Sequence, residues 1–136
     1  MGSNQRVRAV SEADGRRLLA KAEEFVGAAK ADFDAARYSA CGLAAVHAGI
    51  SAADALTAFG RSVVSAAPDH FAVVKLLRRS LGKGLPSEKE RQLVGLLNAK
   101  NEIEYSGHML TPAKAKILLD QATRFVAWSR SVIDNL

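Results

Sequence analysis

The 136-residue chain is 49% hydrophobic and 24% charged, which is the composition of one globular domain and excludes a disordered or low-complexity segment. A net charge of +5 permits contact with nucleic acid or an anionic surface without requiring it. The one cysteine, Cys41, excludes an internal disulfide framework and a cysteine-based zinc site, and reads as a buried structural thiol. No apolar run approaches the ~18 residues of a membrane span and the first residues lack a signal-peptide core, so the chain reads as cytoplasmic with no membrane partner.

Residues 1–10 lack periodicity and read as a flexible N-terminus, while residues 11–136 read as a single helical-bundle domain. Ser11 is a good N-cap, followed by Glu12 and Asp14 at the positive end of a helix. Leu18, Leu19, Ala22, Phe25, Val26, Ala29 and Phe33 then recur at helical spacing. No glycine or proline ends this helix, yet continuing it to Gly60 gives an unreasonable length, so a break is placed near residues 34–37.

A second helix over residues 38–59 is rich in alanine and glycine, which lets neighbouring helices come close. His47, Ser51, Asp54 and Arg61 fall on one stripe of it. That stripe is either a satisfied polar face or the partner of a polar cluster on the fourth helix. A third helix opens at Pro68-Asp69, turns Phe71, Val74, Leu77 and Leu81 inward, and stops at Gly82. Its other side carries Lys75, Arg78, Arg79 and Lys83, a basic face that is solvated or touches RNA.

The fourth helix begins with a Ser87-x-x-Glu90 capping box. On a helical wheel of about 100° per residue, Leu93, Val94, Leu96, Leu97 and Ile103 fill a wide apolar arc with Lys100 near its middle. Asn101, Glu104, Tyr105 and His108 lie within or beside that arc, and Arg91, Gln92, Asn98 and Glu102 face water. A cation, an amide, a carboxylate, a phenol and an imidazole are thereby expected to face the interior or a partner, where polar groups need partners of their own. A buried Lys100 calls for a carboxylate, and Asp54 is the cross-helix candidate. Thr111 caps a fifth helix with Pro112 in its first turn, burying Leu118, Ala122, Phe125, Ser129 and Val132 or Ile133. With no convincing strand and mostly short connections, the expected fold is all-α, a five-helix up-and-down bundle.

Glycine-rich phosphate loops, nucleophile elbows and zinc-ligand spacings are absent from the sequence. The three histidines, His47, His70 and His108, stand on separate predicted helices and suggest no metal site and no cofactor.

The second-helix text YSACGLAAVHAGISAADAL and the stretch KNEIEYSGHMLTPAKAKILLDQATRFV resemble HEPN domains (higher eukaryotes and prokaryotes nucleotide-binding). The arrangement of helices from Ser11 to the end is similar as well. Active members of that family are metal-independent endoribonucleases whose arginine, often followed by a polar residue, gathers with a histidine at a homodimer interface. Lys100 stands at the arginine position and Asn101 at the polar one, while Tyr105 stands where the histidine would be. His108 comes three residues later, across Gly107.

Cleavage by a 2′-hydroxyl needs a base near neutrality, which suits imidazole, and a cation for the phosphate, which suits a guanidinium fork. A phenol is a weaker base at neutral pH, and an ammonium lacks the fork. The resemblance therefore implies a homodimeric HEPN-like module with a degenerate ribonuclease motif. It would bind or assemble with RNA or a protein partner, for example a nucleotidyltransferase-type protein, in a toxin–antitoxin or defence-type system. Its expected binding residues are Lys100, Asn101, Tyr105, Asp54 and His47. The alternative is a metal-independent endoribonuclease using Lys100, Asn101 and His108. A third reading is a bundle that binds only another protein, through an exposed apolar patch.

Overall fold

The computed structural model describes residues 6–136. Of the flexible N-terminus expected over residues 1–10, residues 1–5 lie outside the described residues. The elements run β1 (Val7–Ala9), α1 (Glu12–Asp34), α2 (Tyr38–Arg61), β2 (Val63–Ser65), α3 (Ala72–Leu81), a short 3-10 turn (Gly82–Gly84), α4 (Ser87–Tyr105) and α5 (Pro112–Asp134). The fold is all-α, with five helices and one tiny sheet among the described residues.

The helix starts follow local chemistry. Ser11 and Asp14 form a reciprocal capping box at α1, and the Thr111 hydroxyl accepts from the Lys114 N–H ahead of Pro112 at α5. The break between α1 and α2 needs no glycine because Ala36 adopts a left-handed φ of 61°. Arg37 fastens the turn, its backbone N–H donating to Asp32 O at 2.7 Å and its Nε to Asp32 Oδ1 at 2.9 Å.

Helix α2 is the central element, packed against α1, α3, α4, α5 and β2. Its glycines set the closest approaches. A Cβ added at Gly42 would stand 2.5 Å from Leu110 Cδ2, and one at Gly49 would stand 2.7 Å from Leu96 Cδ1. Among the described residues α2 is the helix long and apolar enough to cross a membrane, contrary to the sequence reading, but 67% of its apolar window is covered by the bundle. Its small side chains account for both properties. Around it close Leu19, Leu56, Leu77, Leu93, Leu96, Leu118 and Phe125, all nearly inaccessible.

Four sequence expectations change. Residues 7–9 form a strand, paired antiparallel to β2 with Arg8 opposite Val64. Three residues per strand are too few for an alternating pattern to show in sequence. Helix α3 begins at Ala72 rather than at Pro68-Asp69, because the Asp69 carboxylate accepts the Phe71 N–H and closes a turn first. Phe71 is exposed as a result, and Val73, Val74, Leu76 and Leu77 face inward. At α4 the N-cap is Pro86, and Ser87 makes no capping bond. Glu90 is engaged instead by the Arg78 guanidinium of α3 through two hydrogen bonds, at 2.8 and 2.5 Å. Gln92, expected on the watery side, is buried.

Candidate functional site

The geometry starts from how α2 meets α4. Gly42 faces Ile103 and Gly49 faces Leu96, so the two helices run antiparallel and His47 of α2 comes level with Lys100 of α4. Helix α1 also runs antiparallel to α2, with Gly15 against Ala58 and Phe25 against His47. The His47 ring lies 5.6 Å from the Phe25 ring at an interplanar angle of 32°. These contacts leave His47 half-buried between α1 and α4.

Lys100 does not pair with Asp54. Its ammonium donates to Glu104 Oε1 at 2.7 Å, one turn further along α4, with the Lys100 side chain 19% exposed. Asp54 sits seven residues beyond His47 on α2, about 10 Å along the axis, and so at a different level of the bundle. The acid within reach of Lys100 is the one on its own helix.

Three side chains brought by different elements now share a field with that pair. Burial pushes the His47 imidazole below its ordinary range. The Glu104 carboxylate opposes this, and the charges of Lys100, His70 and Lys21 add to it. Glu104 is held below the usual carboxylate range, first by the Lys100 hydrogen bond and then by the charges of Lys100, His47 and His70. His70 comes from the turn preceding α3 and Lys21 from α1. A neutral, half-buried imidazole beside an ammonium–carboxylate pair can accept or donate a hydrogen bond to an anionic ligand.

The remaining sequence candidates do not join this cluster. Asn101 and His108 are exposed, and Tyr105 is 77% exposed, so these groups face outward from the protomer rather than into its core. Helix α4 ends at Tyr105, and Gly107 with φ 77° turns the chain away, putting His108 past the helix end. There the His108 N–H donates to Ser106 Oγ at 3.1 Å. Two residues later the Leu110 N–H donates to Ser39 Oγ at 3.0 Å, which fixes this loop against the start of α2. Met109, between them, is 82% exposed.

Asp54 occupies a separate environment. Burial pushes its carboxyl up to about 7, and Arg8 of β1 is the opposing charge. His70 is the site residue that sequence reasoning passed over. Its place follows from the turn closed by Asp69, and no spacing in the sequence links it to α4. Among the described residues no group of three or more His, Cys, Asp or Glu side chains is arranged to hold a metal ion.

No curated protein sequence matches the chain. The HEPN domain family profile matches residues 16–132, a span that begins in the first turns of α1 and ends near the close of α5. The chain therefore belongs to the HEPN domain family.

Proposed function

We propose that this HEPN domain is a non-cleaving binding or assembly module. It acts as a homodimer with RNA or a protein partner, for example a nucleotidyltransferase-type protein, in a cytoplasmic toxin–antitoxin or defence-type setting. One observation carries this reading: the positions that would supply cleavage on α4 are divided. Lys100 is engaged by Glu104 on its own helix, and the outward side chain one turn beyond Asn101 is the Tyr105 phenol rather than an imidazole. Support for self-association comes from Tyr105 and Met109, two large exposed apolar side chains at the same end of α4.

Light scattering after size exclusion at micromolar concentration tests the assembly. A mass of two chains is expected, and a mass of one chain would count against it. Tyr105→Glu and Met109→Glu should both favour the monomer. The second reading, an endoribonuclease using Lys100, Asn101 and His108 across a dimer interface, needs a partner copy to bring its exposed His108 to Lys100. That requirement makes chelator-resistant RNA cleavage sensitive to His108→Ala the outcome that would select it.

A further inference from the structure

One face of α1 is not covered by the bundle: Arg17, Ala20, Lys21, Glu24 and Ala28 are all exposed. Two grooves run along this face and share Arg17 and Lys21. The first, of about 310 Å³, lies between the β1 end of the chain and α1, with Arg8 and Val10 on one side and Asp14, Leu18 and Lys21 on the other. The second, of about 580 Å³, continues along α1 past Ala20, Phe25 and Ala28, and Glu24 also lines it. From Asp14 to Ala28 the track covers about 21 Å of helix axis, roughly four turns.

The charges along the track are uneven. Asp14 is spent locally, because its carboxylate accepts the Ser11 N–H at 2.9 Å and the Arg17 guanidinium. Arg8 and Lys21 are exposed and form no ion pair among the described residues. Arg8 also acts on Asp54 of α2, but burial pushes that carboxyl up to about 7, so at neutral pH Arg8 keeps much of its charge uncompensated. Two unspent cations thus stand beside apolar Val10 and Leu18. Beyond them Ala20 and Ala28 present small exposed side chains next to Phe25, which lets a further helix approach to the ordinary interaxial distance of about 8–10 Å. Glu24, three residues past Lys21, reverses the sign.

Deepening the reading of this chain as an assembly module, on which it rests, we propose that this face of α1 seats an amphipathic helix of a protein partner, with acidic residues over Arg8 and Lys21 and an apolar stripe against Ala20, Phe25 and Ala28. A helix of about 14 residues matches the length of the track. Its carboxylates complement the two unspent cations, and its acidic stretch ends where Glu24 begins. A nucleic-acid backbone fits less well. Its charge is continuous, whereas Asp14 and Glu24 interrupt the cations along the track. The one aromatic ring in the lining, Phe25, is half-buried against His47 and offers no free face for base stacking.

The test uses the full chain and two synthetic helical peptides of about 14 residues. Both carry leucines along one face. One has glutamates in its first half, and the other has lysines at the same places. Fluorescence anisotropy reads affinity, and backbone amide NMR reads the place of binding. The acidic peptide should bind and shift the α1 signals from Arg17 to Ala28, and the lysine peptide should not bind. Arg8→Glu and Lys21→Glu should each weaken binding roughly tenfold, the worth of one charge-assisted hydrogen bond. Lys75→Glu makes the same change of net charge on α3 and should weaken it less than about twofold, because screening limits an exposed charge on another face. Ala20→Arg adds a cation but fills the groove at an exposed position, and should abolish binding while leaving the circular dichroism melt unchanged.

No binding of the acidic peptide at millimolar concentration would overturn the proposal. So would equal weakening by Lys75→Glu, or tighter binding to Ala20→Arg, since either would mean attraction to net charge alone. A dimer that becomes monomeric in Ala20→Arg would overturn it in favour of a second copy on this face. An oligouridylate that shifts the same α1 signals and is lost in Ala20→Arg would overturn it in favour of nucleic acid. These failures leave the non-cleaving reading standing. Chelator-resistant cleavage of RNA alongside normal peptide binding would overturn that reading and not the α1 site.

Discussion

The Lys100 ammonium donates to the Glu104 carboxylate at 2.7 Å, and the same carboxylate acts on His47 across the α2–α4 contact. The pair thus acts, behind the larger effect of burial, on the charge state of an imidazole on another helix. Glu104 is the group that raises the titration of His47 against burial. Glu104→Gln should therefore lower the pH at which His47 titrates, as read by NMR. His47 already titrates below the 6.5 of a free imidazole. Its contribution to stability is thus fully present above that value and is lost as the pH falls through the folded one. Glu104→Gln should deepen this acid loss. An unchanged His47 titration would show that the two groups are not coupled.

Asp54 behaves in the opposite sense. Its carboxyl is pushed from 3.8 up to about 7, so its stabilising influence is complete below the unfolded value and declines as pH rises through the folded one. Asp54→Asn should make the protein more stable at pH 8 by up to about 4 kcal/mol. The gain should shrink towards zero near pH 4. Denaturant melts at the two pH values check this. A variant less stable than the parent at pH 8 would mean that the Arg8 attraction outweighs the burial cost.

Two glycines should respond differently to alanine. Gly27 of α1 has no heavy atom within 4 Å of an added Cβ. Gly27→Ala should stabilise by about 1 kcal/mol through helix propensity alone. Gly49 would press its new methyl to 2.7 Å from Leu96 Cδ1, in a buried position. Overpacking of about 1–3 kcal/mol should then offset or exceed the same propensity gain. Thermal melts of the two variants should move apart.

Ala36 carries a left-handed φ of 61° in the turn joining α1 to α2. A Cβ in that region costs roughly 1–2 kcal/mol, and glycine removes the cost. Ala36→Gly should raise the melting temperature despite the added freedom of the unfolded chain. A fall would mean that the turn tolerates its Cβ without strain.

The helices were legible wherever a local signal carried them. Ser11 with Asp14, Thr111 with Pro112, and the periodic apolar residues of α1 and α5 each state their element within a turn or two of chain. The α1–α2 break was legible from length alone, since the residue that makes it is an ordinary alanine. Features that depend on tertiary pairing were not legible. The strand at Val7–Ala9 exists because β2 lies beside it, and Glu90 leaves its capping role because Arg78 arrives from α3.

The candidate site divides the same way. Lys100 and His47 could be singled out by their places on a helical face, and Gly42 and Gly49 make those faces meet. The pairing of Lys100 with Asp54 failed because shared stripes on two helices say nothing about level along their axes. The influence of His70 on Glu104 was not legible because a turn, not a periodic pattern, places it.

The most direct measurement is cleavage of single-stranded RNA by the purified chain in the presence of a metal chelator. The account predicts no cleavage above the buffer control, for the parent chain and for His108→Ala alike. Cleavage that persists with chelator and disappears in His108→Ala would contradict it.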